Sequence, residues 1–261
     1  MQFNFSRFWR LFIKHTAEHY KFYLMATAVL AGIMALITTF VVTANPNPIS
    51  LELQVILFAF ILFASGSIFT SSIFSDLGDK KKAIATLSLP ASHLEKYLVG
   101  WVYSTLIFFV VFLACFYAVF HLIVPMDNWM GQEPQILNVL SFDHDEQNIL
   151  LVFLFLHAIA FWGSITFEKW HFIKTAFLFF VIMISLIFIN ENVMEGLIGR
   201  EVENASPFSN VTFFNQLAQD RREYFKIELP EARKNLLAIV PVGMALLLWL
   251  TAFLKLKEKE V

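Results

Sequence analysis

The sequence predicts an all-α integral membrane protein with six transmembrane helices. The chain has 261 residues, of which 58% are hydrophobic and 15% are charged, whereas soluble domains are nearer half apolar and a quarter charged. Six apolar stretches are each long enough to cross a hydrocarbon core of about 30 Å, which takes roughly 20 helical residues. They cover approximately residues 23–43, 53–72, 98–124, 149–167, 172–189 and 236–254.

Each predicted span is almost free of charged residues. One Asp, Lys or Arg at the centre of a membrane helix costs about 2.5–3.5 kcal/mol on insertion scales, so this absence is expected of a true span. The formal net charge of −2 gives no bulk attraction to nucleic acid. The expected surroundings of the chain are therefore the lipid bilayer and other proteins, with no nucleic acid.

The first 22 residues predict an amphipathic helix that lies in the membrane interface. Aromatic and apolar residues fall on one side at helical spacing, and charged residues fall on the other. The first set is Phe5, Phe8, Trp9, Phe12 and Ile13, and the second is Arg7, Arg10, Lys14, Glu18 and Lys21. We expect residues 1–22 to form a unit separate from the six-span domain at 23–261. Two interpretations stay open: a plain membrane anchor, or an elbow helix that leads into the helix bundle.

The distribution of lysine and arginine predicts that both termini are cytoplasmic. With six spans, this orientation places 13 of the 19 basic residues inside and 6 outside, in agreement with the positive-inside rule. The expected location is the cell inner (cytoplasmic) membrane. Segments 76–96 and 255–261 would then be cytoplasmic. Pro46, Asp143, Asn210 and a large loop at 190–235 would be outside.

The segment 74–96 between the second and third spans is longer than a simple connection requires. Asp76 is placed to cap a short helix, and Leu89-Pro90 ends it because the residue before proline disfavours helical geometry. Ser92 and Glu95 form a Ser-x-x-Glu capping box that begins the next helix. The sequence therefore predicts a short helix, a corner and a second helix that enters the third span.

Two interpretations of this short helix stay open on physical grounds. It could be a topology signal that is helical by chance, since it carries Lys80, Lys81 and Lys82. It could also be a rigid element that docks onto a cytoplasmic partner. In the second case its expected apolar side is Leu77, Ile84 and Leu87.

The same segment resembles the permease subunits of the type-2 ABC-exporter family. The resemblance is carried by Phe74-x-Asp76-Leu77-Gly78-Asp79-Lys80-x-Lys82…Leu87-x-Leu89-Pro90-Ala91-Ser92-x-x-Glu95-Lys96. It is supported by Gly163-Ser164…Phe167-x-Lys169…Phe172-x-Lys174-Thr175. It implies an N-terminal interfacial elbow helix and a cytoplasmic coupling helix between spans two and three. The coupling helix would contact a separate ABC ATP-binding subunit through Asp76, Leu77, Asp79, Lys80, Lys81, Lys82, Ile84 and Leu87. The permease would form a homo- or heterodimer with a second permease.

Missing motifs narrow the possible chemistry. The sequence has no G-x-x-x-x-G-K-[ST] loop to hold nucleotide phosphates, so any ATPase activity is expected in another polypeptide and no enzyme activity or cofactor is predicted. The single cysteine, Cys115, supports neither a disulfide framework nor a cysteine metal site. His157 lies deep in a predicted span, where a hydrogen bond to a neighbouring helix is the expected role.

Two other classes of protein stay open. An intramembrane enzyme would need clustered acidic or histidine side chains, and the sequence has no H-E-x-x-H motif. A non-catalytic scaffold or sensor could bind a partner through the 190–235 loop, which contains apolar pieces at 211–214 and 224–229. The transported substrate and its direction cannot be inferred from these residues.

Overall fold

A computed structural model of the chain describes residues 3–139, 144–199, 202–204, 211–215, 223–227 and 231–259. Within those residues, six helices are long and apolar enough to cross a membrane, which agrees with the predicted multi-pass membrane protein. The helices are α1 (Phe5–Ala44), α2 (Leu51–Ser72), α3 (Lys80–Leu87), α4 (His93–Val102), α5 (Phe108–Ile123), α6 (His144–Thr166), α7 (His171–Ile198) and α8 (Glu231–Glu258). Short 3₁₀ turns cover Ser75–Gly78 and Val124–Met126, and a π-helical turn covers Tyr103–Ile107.

Helix α1 is continuous through both the predicted interfacial segment and the first span. Asn4 caps it by accepting hydrogen bonds from the backbone N–H groups of Ser6 and Arg7. Its 40 residues correspond to about 60 Å, twice the thickness of the hydrocarbon core. The helix is therefore continuous across residue 22, where the sequence predicts the boundary between the interfacial segment and the first span. No glycine precedes Gly32 and no proline precedes Pro46, so nothing in the sequence interrupts the helix near residue 22.

The third span is one long rod made of α4, the π-helical turn and α5. Its start agrees with the sequence prediction: Ser92 accepts from the Glu95 N–H, and the Glu95 side chain accepts from the Ser92 N–H, which completes the capping box. The π-helical turn places Tyr103, Ser104 and Thr105 in buried positions. Such single turns often occur at functional positions in helices.

Two apolar clusters hold the helices together. The larger contains Phe58 of α2 and Phe112, Phe116 and Phe120 of α5, all fully buried, together with Met34 of α1. The smaller joins Phe74 and Leu77 to Tyr97 of α4, Phe161 of α6 and Leu256 of α8. Helix α6 packs against α2, α7 and α8 and therefore occupies the centre of the bundle.

A small antiparallel sheet lies between α7 and α8 in the chain. Its strands are β1 (Val202–Asn204), β2 (Val211–Asn215) and β3 (Glu223–Ile227), in the order β1-β2-β3. Val211 of β2 pairs with Ile227 of β3, and Asn215 pairs with Glu223. Strands β2 and β3 coincide with the two apolar pieces of the predicted outer loop.

Candidate functional site at the 74–96 segment

The segment between α2 and α4 contains two short elements instead of the single predicted helix. The 3₁₀ turn Ser75–Gly78 comes first, and α3 begins after it at Lys80. Asp79 caps α3, since its carboxylate accepts from the Lys81 N–H at 2.9 Å. The prediction that Asp76 is the cap was therefore wrong, because Asp76 lies within the 3₁₀ turn and α3 begins only after Asp79.

Asp76 instead connects this segment to α1. Its carboxylate accepts a hydrogen bond from Lys82 Nζ at 3.0 Å, and its other oxygen lies 3.4 Å from His19 Nε2. Partial burial would by itself raise the pKa of the Asp76 carboxyl. The contacts with Lys82 and His19 favour the carboxylate more strongly and hold its pKa below the ordinary value. Asp76 thus stays ionised at neutral pH.

The predicted apolar side of the short helix is divided between the bundle and the surface. Leu77 is buried among Phe74, Tyr97 and Phe161 and is therefore not available to a partner. Ile84 of α3 is 69% exposed. The expectation that Leu77 and Ile84 share one docking side was wrong, because Leu77 belongs to the 3₁₀ turn and is buried, whereas Ile84 belongs to α3 and is exposed.

The exposed part of α3 is small and basic. Lys81 and Lys82 are exposed beside Ile84. Lys80 and Leu87 belong to the helix, but their side chains lie outside the described part of the chain. Asp143 and Asn210, which the topology prediction placed outside, also lie outside the described residues.

The 3₁₀ turn is pressed against the connection between α6 and α7. A Cβ atom at Gly78 would lie 1.8 Å from the backbone oxygen of Glu168, so only glycine fits this contact. In the same region, a Cβ at Gly163 would lie 1.9 Å from Oγ1 of Thr175 on α7. Gly78, Gly163 and Thr175 all belong to the patterns that carry the family resemblance. A glycine is needed at Gly78 because the backbone of Glu168 approaches it, and at Gly163 because the side chain of Thr175 does.

Glu95 joins the start of α4 to the start of α1. Its fully buried carboxylate accepts from the backbone N–H of Asn4 at 2.7 Å, from Arg7 Nη2 at 3.2 Å and from the Ser92 N–H at 2.8 Å. The capping box predicted only the contact with Ser92. The contacts with Asn4 and Arg7 join residues about 90 positions apart, and no local pattern indicates them.

The aromatic side of the N-terminal segment is also divided. Phe12 stacks on Tyr103 of the π-helical turn, with ring centroids 4.9 Å apart, and on Trp9 at 5.4 Å. Phe5 and Trp9 are 70% and 51% exposed, and Phe8 is half-buried. The exposed rings are therefore available to the membrane interface, while Phe12 attaches the segment to the bundle.

His157 forms the hydrogen bonds between helices that the sequence predicts. It is buried, and its Nε2 lies 2.9 Å from the hydroxyls of Ser104 and Thr105 in the π-helical turn. Trp249 of α8 donates to its Nδ1 at 3.3 Å. Because the indole N–H only donates, Nδ1 is the acceptor and the proton of the neutral ring is on Nε2. The residue links α6, α8 and the π-helical turn.

The described residues contain no group of three or more His, Cys, Asp or Glu side chains arranged to hold a metal ion. The Asp76 and Glu95 carboxylates and the close contact at Gly78 attach the 74–96 segment to the bundle. The short basic helix α3 remains exposed. Comparisons with protein-family models, with curated proteins and with solved structures find no match.

Proposed function

We propose that the chain is the membrane-spanning permease subunit of an ATP-driven ABC exporter. Its partners would be a cytoplasmic ABC ATP-binding subunit, which supplies ATP hydrolysis, and a second permease. The observation that supports this most is the attachment of the 74–96 segment. The 3₁₀ turn is held by Leu77 and Gly78, while Ile84, Lys81 and Lys82 of α3 are exposed. A helix fixed in this way transmits a push from a partner, whereas a loose topology signal needs no fixation.

The contacts indicate how motion would enter the bundle. ATP binding would draw two ATPase subunits together and displace α3. The contact between Gly78 and Glu168 would pass that displacement to α6 and α7, and Glu95 would pass it to α1 and α4. Rigid-body movement of helices against each other is a common way to couple two sites. In the permease dimer, this movement of the helices would switch the protein between its inward-facing and outward-facing states.

Substitution of Ile84 tests the proposed partner contact. Burial of an isoleucine side chain contributes about 1.5–3 kcal/mol, so Ile84→Ser should weaken the complex with the ATPase roughly 10- to 100-fold. The fold should be kept because Ile84 is 69% exposed. The measurement is the amount of ATPase that copurifies from the native host, together with ATP hydrolysis by the complex.

Ile84→Leu is the matched control and should retain the ATPase, because it keeps the apolar surface. Leu77→Ser should lower the stability of the chain itself, since Leu77 is buried in the bundle. Unchanged copurification and hydrolysis in Ile84→Ser would refute the coupling role. That result would favour the alternative, a non-catalytic scaffold or sensor.

Cysteine labelling tests the proposed orientation. In a Cys115→Ala background, Pro46→Cys and Lys81→Cys each place one thiol at an exposed site at opposite ends of α2. An impermeant maleimide should label position 46 in intact cells, and position 81 only after the cells are permeabilised. Labelling of position 81 in intact cells would contradict cytoplasmic termini.

A further inference from the structure

An apolar groove runs along the first half of the membrane part of α1. It has a volume of about 530 Å³ and lies between α1 and α2, with Tyr103 and Phe108 at its base. On α1 it extends from Phe22 to Ile33, which is about 16 Å of helix. That length matches one leaflet of a bilayer whose hydrocarbon core is about 30 Å thick. Met25, in the wall of the groove, is 62% exposed.

A second cavity, the basic cavity, adjoins the N-terminal end of the groove. It has a volume of about 300 Å³ and lies between α1, the 74–96 segment and α4. Three lysines and two carboxylates line it, so its formal net charge is +1 with neutral histidines, and Lys82 pairs with Asp76 at 3.0 Å while Lys14 pairs with Glu18 at 3.6 Å. These charged residues are Lys14, Lys82, Lys96, Glu18 and Asp76, and His15 and His19 complete the polar wall.

The two spaces follow one another along α1, where the basic cavity is lined between Leu11 and His19 and the groove between Phe22 and Ile33. The Tyr103 ring contacts His15 of the basic cavity at 4.7 Å between centroids, and it stacks on Tyr23 of the groove at 5.3 Å. On α2, Ser72 lines the groove and the next residue, Ile73, lines the basic cavity. The two neighbouring spaces therefore offer a positively charged end and a long apolar end.

We propose that the two spaces act together as one site and bind one anionic phospholipid of the leaflet that surrounds the first half of the membrane part of α1. The phosphate occupies the basic cavity, and an acyl chain lies in the groove. Charge complementarity selects the headgroup, since each cation near an anionic lipid contributes about fivefold in affinity, or about 1 kcal/mol. The groove is about as long as one leaflet is deep, so it accommodates the acyl chain of the lipid. Lipid binding at this site requires no ATPase, so its test is independent of the proposed transport function.

The test uses the full chain in neutral detergent micelles with a fluorescent phosphatidylglycerol as the probe. Unlabelled phosphatidylglycerol should displace the probe at a much lower concentration than phosphatidylcholine. Inorganic phosphate should not displace it at millimolar concentration, because phosphate lacks the chain. Equal displacement by the two lipids would overturn the headgroup assignment. Displacement by phosphate alone would overturn the role of the groove.

Two matched pairs on α1 locate the site. Ala26→Trp fills the groove and should weaken binding at least tenfold, whereas Ala28→Trp, at an exposed position outside the groove lining, should have no effect. Lys14→Gln should weaken binding about fivefold, and Lys21→Gln, which lines neither cavity, should not. Equal losses within both pairs would refute the site.

Thermal unfolding of each variant separates lost binding from lost folding. Ser65→Phe fills the groove from the α2 side and repeats the test if Ala26→Trp unfolds. A Ser65→Phe chain that melts like the wild type and binds phosphatidylglycerol normally would also refute the proposal.

Discussion

Replacing Glu95 with alanine should detach the start of α1 from α4 and lower the free energy of unfolding by about 3 kcal/mol. The Glu95 carboxylate is fully buried and accepts hydrogen bonds from Asn4, Arg7 and Ser92. Hydrogen bonds to a charged group contribute about 1.5–3 kcal/mol, and buried donors left without an acceptor add a further penalty. The measurement is thermal or denaturant unfolding in detergent, with proteolysis near residue 5 as a local readout.

Two control variants distinguish the buried Glu95 contact from ordinary ion pairs on the surface. Arg7→Ala should cost about 1 kcal/mol or less, because its side chain is 37% exposed and the contact is partly screened by solvent. Glu18→Gln removes only an exposed pair with Lys14 and should be close to neutral. Equal stability of the Glu95→Ala and Glu18→Gln variants would show that Glu95 does not join the two helices.

Local sequence patterns predicted those structural features that are determined by residues close together in the sequence. The six spans follow from uninterrupted apolar stretches, and the start of α4 follows from the capping box of Ser92 and Glu95. The contacts of Glu95 with Asn4 and Arg7 could not be predicted in this way. They depend on how α1 packs against α4, and residues about 90 positions apart leave no periodic signal.

In the 74–96 segment, helical periodicity gives a wrong grouping of the apolar residues. Counting at 100° per residue from Asp76 assumed one helix, and it grouped Leu77 with Ile84. The 3₁₀ turn changes the number of residues per turn and ends at Gly78, so α3 starts with a new phase at Lys80. The Asp79 side chain, three residues beyond Asp76, is equally suited to cap a helix, and tertiary packing of Leu77 decides between them.

In a membrane protein, the sequence also does not show whether an apolar residue contacts lipid or another helix. Phe12 and Trp9 are similar in type and close in the helix, yet Phe12 packs on Tyr103 and Trp9 is exposed. Both the lipid and the protein interior favour aromatic side chains, so composition cannot separate these two environments. The groove beside α1 was unpredicted for the same reason, since it is defined by the spacing between helices.

Gly78→Ala should displace the 3₁₀ turn from the connection between α6 and α7 and should lower the free energy of unfolding by about 3 kcal/mol. The added Cβ would lie 1.8 Å from the backbone oxygen of Glu168, a distance that requires one of the two backbones to move. Overpacking of a close contact typically costs about 1–3 kcal/mol, and a contact between two backbones belongs at the upper end because no side chain can rotate away. The measurement is the melting temperature in detergent relative to wild type.

Gly32→Ala is the matched control, because a Cβ at Gly32 in the middle of α1 meets no atom within 4 Å. Alanine favours a helix by up to about 1 kcal/mol over glycine, so this variant should be as stable as the wild type or more stable. A Gly78→Ala variant that retains wild-type stability would mean that the 3₁₀ turn does not press on Glu168, and it would remove this contact from the proposed route between α3 and α6. A destabilised Gly78→Ala variant that still copurifies with the proposed ATPase partner but no longer stimulates ATP hydrolysis would assign this contact to transmission and not to docking.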